Sequence, residues 1–314
     1  MFRWVALVGV FLLAVLTAGC AGSGAANLAA EGGQSVFPIT VTDDAGREVT
    51  IDKQPQRVVS LSPSNTEFVY AAGLQDRLVG VDDFSDYPAE AKALPKVGGF
   101  FNPSLEKIVG LAPDLVLATN IHVKSVLAEL EKQGLRVLVI QPPTLDDVPR
   151  NLELLGTISG KPAAAKQAAE DIRRRIQAVT SKTGGVARPR VFFELDPQLI
   201  TVGPGTFLDD MISKAGGENI ANDAKTAWPQ LSPEAIVLKD PQIIVLSDHG
   251  SDAGGVTPEM VKARPGWQAV AAVKDERIIL LPDRDLTDRP GPRAVEGLEF
   301  LARTFHPDLF PAAR

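Results

Sequence analysis

Cysteine is all but missing from this chain of 314 residues; there is one, Cys20. No intrachain disulfide or cysteine–metal site can therefore form, and packing alone must stabilise the folded part. Histidine is nearly as scarce. His122, His249 and His306 lie far apart without helical ligand spacing, which argues against a dedicated zinc site. His122 alone could reach a cleft as an axial metal ligand; its plainer reading is a surface loop residue. No glycine-rich phosphate loop, serine nucleophile elbow or Cys/His pair occurs, so the common catalytic signatures are absent. Basic surface is lacking as well. Net charge is −7, and Arg173-Arg174-Arg175 follows Glu170 and Asp171 in a helical segment, so it reads as a solvated face. That argues against nucleic acid as a partner, since phosphate binding needs concentrated positive charge.

The one sustained apolar run is short. Arg3 is the only charged side chain ahead of Cys20, and residues 4–16 lead into Thr17-Ala18-Gly19-Cys20. This is the pattern of a secretory signal over residues 1–19, too short for a membrane span. It resembles a bacterial lipoprotein signal, in which Cys20 would be lipidated and become the new N-terminus, with Thr17 standing where leucine is usual. The alternative is an ordinary signal cut near Gly19. Residues 20–36, rich in Gly, Ala and Ser, read as the tether of an extracytoplasmic, membrane-anchored protein.

Residues 37–51 predict an exposed hairpin, with Ile39, Val41, Val49 and Ile51 alternating around the turn Asp43-Asp44-Ala45-Gly46. Short apolar strands then alternate with helices: strands at 57–61, 78–81, 114–118 and 136–140, helices at 64–72, 105–111, 123–133 and 145–159. A second run places strands at 191–194, 199–202, 243–247 and 277–281. Its helices fall at 207–215, 233–238, 257–263 and 293–305. Such alternation predicts an α/β fold of two doubly wound, Rossmann-like lobes with mostly parallel sheets. An Ala-rich stretch over 162–182 predicts one long rigid helix joining them, a rod of ~30 Å. The division is an N-terminal lobe with its leading hairpin at 37–142, a helical segment at 143–187 and a C-terminal lobe at 188–314.

The two halves share a faint repeat. Residues 105–117 lie over 233–245 without a gap: Glu106 meets Glu234, Ile108 meets Ile236, and Pro113 meets Pro241. The same offset sets Phe100 against Trp228 and Ser104 against Ser232. Two lobes built alike would present two aromatics and two acids in related places, as a bilobed binding protein does. A carboxylate in a first helical turn is favoured by the helix dipole alone. That explains each glutamate separately but not their shared position.

Four further motifs occur together: Arg57-Val58-Val59-Ser60-Leu61-Ser62-Pro63-Ser64-Asn65-Thr66-Glu67, Ser85-Asp86-Tyr87-Pro88, Gly216-Gly217-Glu218-Asn219-Ile220 and Ala227-Trp228-Pro229-Gln230. With these, over about residues 56–305, the chain resembles substrate-binding proteins of ABC importers. The class in question has a helical backbone between its lobes and handles vitamin B12, ferric siderophores and haem; the vitamin B12 binders are the most similar. The resemblance implies a monomeric protein, not an enzyme, that captures a corrinoid and delivers it to a permease dimer with its ATPase. It implies cleft aromatics at Tyr87, Phe100 and Trp228, ligand-edge groups at Asp285 and Arg289, and docking acids at Glu106 and Glu234. Thr119 stands where the B12 binders carry a further tryptophan. No cofactor or metal of the protein's own is implied. The bound ligand would be cobalamin or another corrinoid, with a ferric siderophore or haem as the alternative.

The side-chain chemistry agrees, because a flat, amide-rimmed macrocycle is best held between aromatic faces with a few polar groups at its edge. An anionic siderophore would look instead to Arg284, Arg289 and Arg293, and haem to Tyr87 or His122 as axial ligand. Two other readings stand beside these: an anchored enzyme using Asp283, Asp285 and His249, and an interaction protein whose pocket between Trp228 and Tyr87 has closed. Ser64-Asn65-Thr66-Glu67 fits a helix capping box.

Overall fold

The computed structural model describes residues 37–248 and 255–311, so the signal, Cys20, the tether and His249 lie outside the described residues. The hairpin is present as β1 (Ile39–Thr42) and β2 (Glu48–Ile51), antiparallel from Ile39↔Ile51 to Thr42↔Glu48. It is exposed on one face only. Val49 and Ile51 are buried, because β2 lies on the first lobe instead of projecting from it. The Asp43 carboxylate holds the turn, accepting from the backbone N–H groups of Ala45 and Arg47 at 3.0 and 2.9 Å.

The first lobe runs β3 (Val58–Ser60), α1 (Pro63–Ala71), β4 (Leu78–Val81), the short pair β5 (Gly98–Gly99) and β6 (Asn102–Pro103), α2 (Leu105–Gly110), β7 (Leu115–Ala118), α3 (Asn120–Ser125), α4 (Leu127–Lys132) and β8 (Val137–Val139). Its sheet has the order β4-β3-β7-β8, with every pairing parallel. The single helix expected over 123–133 is two, because Val126 leaves the helical region at φ −124°, ψ −14°. Two packed helices follow, α5 (Asp147–Ser159) and α6 (Pro162–Thr183), the latter of 22 residues. They approach closely at Gly156, where a Cβ would stand 2.2 Å from that of Ala165.

The second lobe contains β9 (Arg190–Glu194), α7 (Phe207–Lys214), β10 (Glu218–Asn219), α8 (Pro233–Lys239), β11 (Ile243–Leu246), α9 (Pro258–Lys262), α10 (Ala271–Lys274), β12 (Ile278–Leu280), α11 (Asp285–Asp288) and α12 (Ala294–Phe305). Its sheet order, β10-β9-β11-β12, repeats the winding of the first: the first strand lies between the second and the third, all parallel. β7 and β11 coincide under the sequence repeat, Leu115 over Ile243 and Ala118 over Leu246. The strand expected at 199–202 makes no ladder. It forms a single isolated β-bridge, Ile200 to Gln230, and with the backbone bonds around it supports a loop described below.

Alternation along the strands sorts the core into three bodies. Leu115, Leu117, Phe193 and Val245 point into one continuous apolar core that also contains Ile172 and Ile176 of α6, so it passes from lobe to lobe through the long helix. Val59, Val116 and Ala118 face a separate core in the first lobe, and Phe192, Ile244 and Leu246 face one in the second. Each fully buried branched or aromatic side chain contributes about 1.5–3 kcal/mol. The central core therefore joins lobes and α6 as one packed unit.

Candidate ligand-binding cleft

The carboxyl ends of both sheets open onto a common cleft, the place where open α/β sheets present ligand sites. It has two adjoining chambers, of about 510 and 560 Å³, which share Gln141, Arg284, Asp288 and Pro290. The pocket is open, which removes the reading of an interaction protein with a filled site.

Trp228 lines the first chamber and is 57% exposed. The residues around it are pinned: Gly203 N–H donates to Ala227 O at 2.8 Å, and Thr201 N–H to Pro229 O at 2.9 Å. Position 203 must be glycine for this, since a Cβ would lie 2.0 Å from Thr226 O. The second chamber has an aromatic wall on the first lobe made of Phe84, Phe100 and Phe101. Phe84 and Phe101 are 59% and 71% exposed, and sequence reasoning missed both. Their only signal was an apolar side chain in a polar loop. Phe84 is held by its N–H, which donates to the buried Asp82 carboxylate at 3.0 Å.

Phe100 is placed by His122. The histidine is fully buried in the turn that caps α3; its Nδ1 accepts from Thr119 N–H at 3.0 Å and its Nε2 donates to Phe100 O at 2.8 Å. Its ring meets Phe100 edge-on at 5.3 Å. Both ring nitrogens are therefore occupied, so His122 is neither a surface loop residue nor a free axial ligand. Burial also pulls its pKa down. Among the described residues, no group of three His, Cys, Asp or Glu side chains could hold a metal ion.

Tyr87 lines neither chamber. One face of its ring is covered by the Arg293 guanidinium, 3.8 Å from the ring centroid. That contact belongs to a charged network between the lobes. Arg293 grips Glu67 through Nε at 3.1 Å and Nη2 at 2.8 Å; Arg289 reaches Asp86 and Asp285, each at 2.8 Å. Glu67 therefore does not close a capping box. α1 starts two residues earlier than that motif suggests, capped by Ser62, whose hydroxyl accepts from Asn65 N–H at 3.2 Å. Burial pushes the Glu67 carboxyl above its ordinary range despite the two arginines. At Asp86, burial is outweighed by the hydrogen bond and charge of Arg289, which hold the carboxyl below it.

Glu106 and Glu234 sit as expected, each second in its helix and exposed, behind Ser104 and Ser232, whose hydroxyls cap α2 and α8. Neither makes an ion pair among the described residues. Beside Glu234, Leu238 is 86% exposed at a shallow groove with Pro265 and Gly266. No helix among the described residues is long and apolar enough to cross a membrane.

Known proteins share this arrangement. Residues 58–284 match the family model described as periplasmic binding protein. An uncharacterized ABC transporter substrate-binding lipoprotein of Bacillus subtilis, YvrC, is 36% identical over 318 residues, 98% of this chain and 97% of that one. The crystal structure of the periplasmic vitamin B12 binding protein BtuF of Vibrio cholerae superposes with a TM-score of 0.72 at 34% identity, covering 80% of this chain and 97% of that one. The periplasmic haem-binding protein RhuT of Roseiflexus sp. RS-1 gives a TM-score of 0.70 at 29% identity, over 81% and 99%. These relatives bind solutes and are not enzymes, which removes the reading built on Asp283, Asp285 and His249. Two parallel-sheet lobes on one long helix, with an open cleft between them, thus have a family: the chain belongs to the periplasmic binding proteins, as the substrate-binding protein of an ABC transporter.

Proposed function

We propose that this protein captures a corrinoid of the vitamin B12 type between its lobes. The observation that carries the reading is a cleft with exposed aromatics on both sides and, among the described residues, no unpaired arginine. Phe84 and Phe101 on one lobe face the chambers, as does Trp228 on the other. Arg284 is paired with Asp288, Arg289 with Asp285 and Asp86, and Arg293 with Glu67. A neutral macrocycle with an amide rim needs aromatic faces and hydrogen-bond partners, whereas an anionic siderophore or the haem propionates would find Arg289 and Arg293 held by carboxylates and only the exposed Arg284–Asp288 pair open to competition. Thr119, buried as the cap of α3, leaves the wall aromatics to Phe84, Phe100 and Phe101. Haem would depend on Tyr87 as axial ligand, since His122 is committed elsewhere.

Within this reading Glu106 and Glu234 dock onto cations of a permease dimer served by its ATPase, and a lipid on Cys20 keeps the protein at the membrane. The lipoprotein name of the Bacillus relative supports the anchor. Calorimetric titration of the full chain with cyanocobalamin tests the ligand. One-to-one binding at sub-micromolar strength is expected, weakened roughly tenfold in Trp228→Ala. A folded protein that gives no heat with cyanocobalamin but shifts the absorption spectrum of haemin would replace the corrinoid by haem.

A further inference from the structure

The two chambers of the cleft share four residues, and three of them, Arg284, Asp288 and Pro290, belong to the second lobe. The fourth is Gln141, which follows β8, the edge strand of the first lobe's sheet. Its side-chain Oε1 accepts from Asn120 N–H at 2.8 Å, one of the amides at the start of α3 that the helix itself leaves without an acceptor. An N–H can donate only to the oxygen of an amide, so this bond fixes which end of the side chain is the nitrogen. Among the described residues nothing accepts from that nitrogen, Nε2. A donor with two hydrogens is therefore left over on the one first-lobe residue that both chambers touch.

The backbone of Gln141 is held by the leading hairpin. Its N–H donates at 2.7 Å to the carboxylate of Asp44, in the turn between β1 and β2. The same carboxylate, 2% exposed on its side chain, accepts from Arg150 Nη2 at 2.7 Å and from Asn151 Nδ2 at 2.6 Å on α5. Asp44 N–H donates to Val139 O at 3.0 Å, and Asp43 accepts from Val139 N–H at 3.2 Å. The hairpin turn thus pairs with the open edge of β8 and holds the chain where it leaves the strand. Bonds to a carboxylate are roughly twice as strong as those between neutral groups.

We infer that Gln141 is a ligand contact, donating from Nε2 to an oxygen on the ligand's rim, and that Asp44 is its positioning residue. The inference rests on the corrinoid reading for the identity of that oxygen, the carbonyl of a primary amide. A haem propionate would offer a carboxylate oxygen instead, and the two respond differently to a change of partner. A primary amide can rotate to present its NH₂, whereas a carboxylate has only acceptors.

Calorimetric titration of full-chain variants separates these cases. Gln141→Glu keeps the acceptor for Asn120 N–H and puts an acceptor in place of the free donor; Gln141→Leu removes both polar atoms. With cyanocobalamin, Gln141→Leu should bind about tenfold more weakly than wild type, and Gln141→Glu within about twofold of it, because the rim amide turns over. Weaker binding in Gln141→Glu than in Gln141→Leu would overturn the amide as partner. If wild type takes haemin and not cyanocobalamin, the corrinoid reading fails, yet the contact stands if Gln141→Glu then binds haemin more weakly than Gln141→Leu. Equal affinities of the two variants, for whichever ligand wild type takes, overturn the contact. Asp44→Asn sets a donor against one of its three donors and should weaken binding about threefold, with no further loss in the Gln141→Leu background. Losses that add would overturn the positioning role, since a general loosening of the hairpin weakens binding in either background.

Discussion

Arg57 in the first lobe and Arg190 in the second occupy matching places and make matching bonds. Arg57 donates from Nε to Leu111 O and Ala112 O at 3.0 and 3.2 Å; Arg190 donates from Nε to Lys239 O and Asp240 O at 3.1 and 2.9 Å. Ala112 and Asp240, which the sequence repeat sets opposite each other, both turn left-handed at the end of their helices, with φ of 44° and 46°. The backbone N–H of each arginine is also satisfied by a side chain just before the next strand, Asp114 in one lobe and Gln242 in the other. At the cleft the likeness stops. One lobe offers a wall of three phenylalanines, two of them tied down by His122 and Asp82, the other Trp228, Phe207 and a charged helical turn. Bonds that close a helix–turn–strand unit depend on backbone geometry, which both lobes share. Residues past the strand ends bear on a ligand, and nothing in the scaffold compels them to match.

The comparison can be broken most forcefully in the core. Phe192 and Phe193 are neighbours on β9 that point into different bodies, Phe193 into the core shared through α6 and Phe192 toward Trp267, its ring centroid 6.2 Å away. Truncation of either to alanine is expected to cost about 3–5 kcal/mol in urea denaturation. Phe193→Ala should raise hydrogen exchange in both lobes, and Phe192→Ala in the second alone. Equal spreading of both effects would mean that the cores are not separate.

A smaller effect tests the matching arginines. Arg190→Ala should destabilise by about 2 kcal/mol and Arg57→Ala by about 1 kcal/mol, since hydrogen bonds from a half-buried donor are harder to replace with water. Arg190 also has an ion pair with Asp240 at 3.0 Å, and Arg57 is exposed. The double variant should sum to within about 0.5 kcal/mol, as independent sites do; a larger departure would show coupling between the two units.

The smallest effect is on pH dependence, and here the groups differ in sign. Burial holds His122 below its ordinary 6.5, so the unfolded chain binds the proton first. The stability it contributes is present above 6.5 and is lost as pH falls below that value. Glu67 and Glu194 run the other way. Burial raises both above 4.5, so the folded protein takes up the proton first and acidification relieves a penalty. Thermal melts between about pH 6.5 and 5.5 should therefore fall less steeply in His122→Gln than in wild type. Parallel slopes would remove the histidine from the account.

Most of the architecture could be read from the amino-acid sequence because it rests on local periodicity. Apolar runs marked seven of the eight expected strands in the two lobes, and the Ala-rich stretch marked α6. The repeat brings β7 and β11 into register, although the expected bounds each run one residue beyond the strand found. What stayed hidden depends on partners far along the chain. The Arg289–Asp86 bond joins residues 203 apart and the Arg293–Glu67 bond residues 226 apart. Neither spacing carries a pattern, and Glu67 imitated a helix cap while serving the other lobe. His122 was hidden for a related reason: its two bonds show only once the turn after β7 is folded against Phe100.

The long helix α6 has a mechanical consequence. Its 22 residues span about 33 Å. A tilt of about 5° at one end would carry the other through about 3 Å, enough to lengthen a hydrogen bond but far less than the width of a flat macrocycle. A beam of this kind, embedded in the core it shares with both lobes, behaves as a stiff spring and not as a hinge. Emptying the cleft then calls for a torque applied from outside, at two points with the beam between them, and the docking proposed for Glu106 and Glu234, one on each lobe, would supply it.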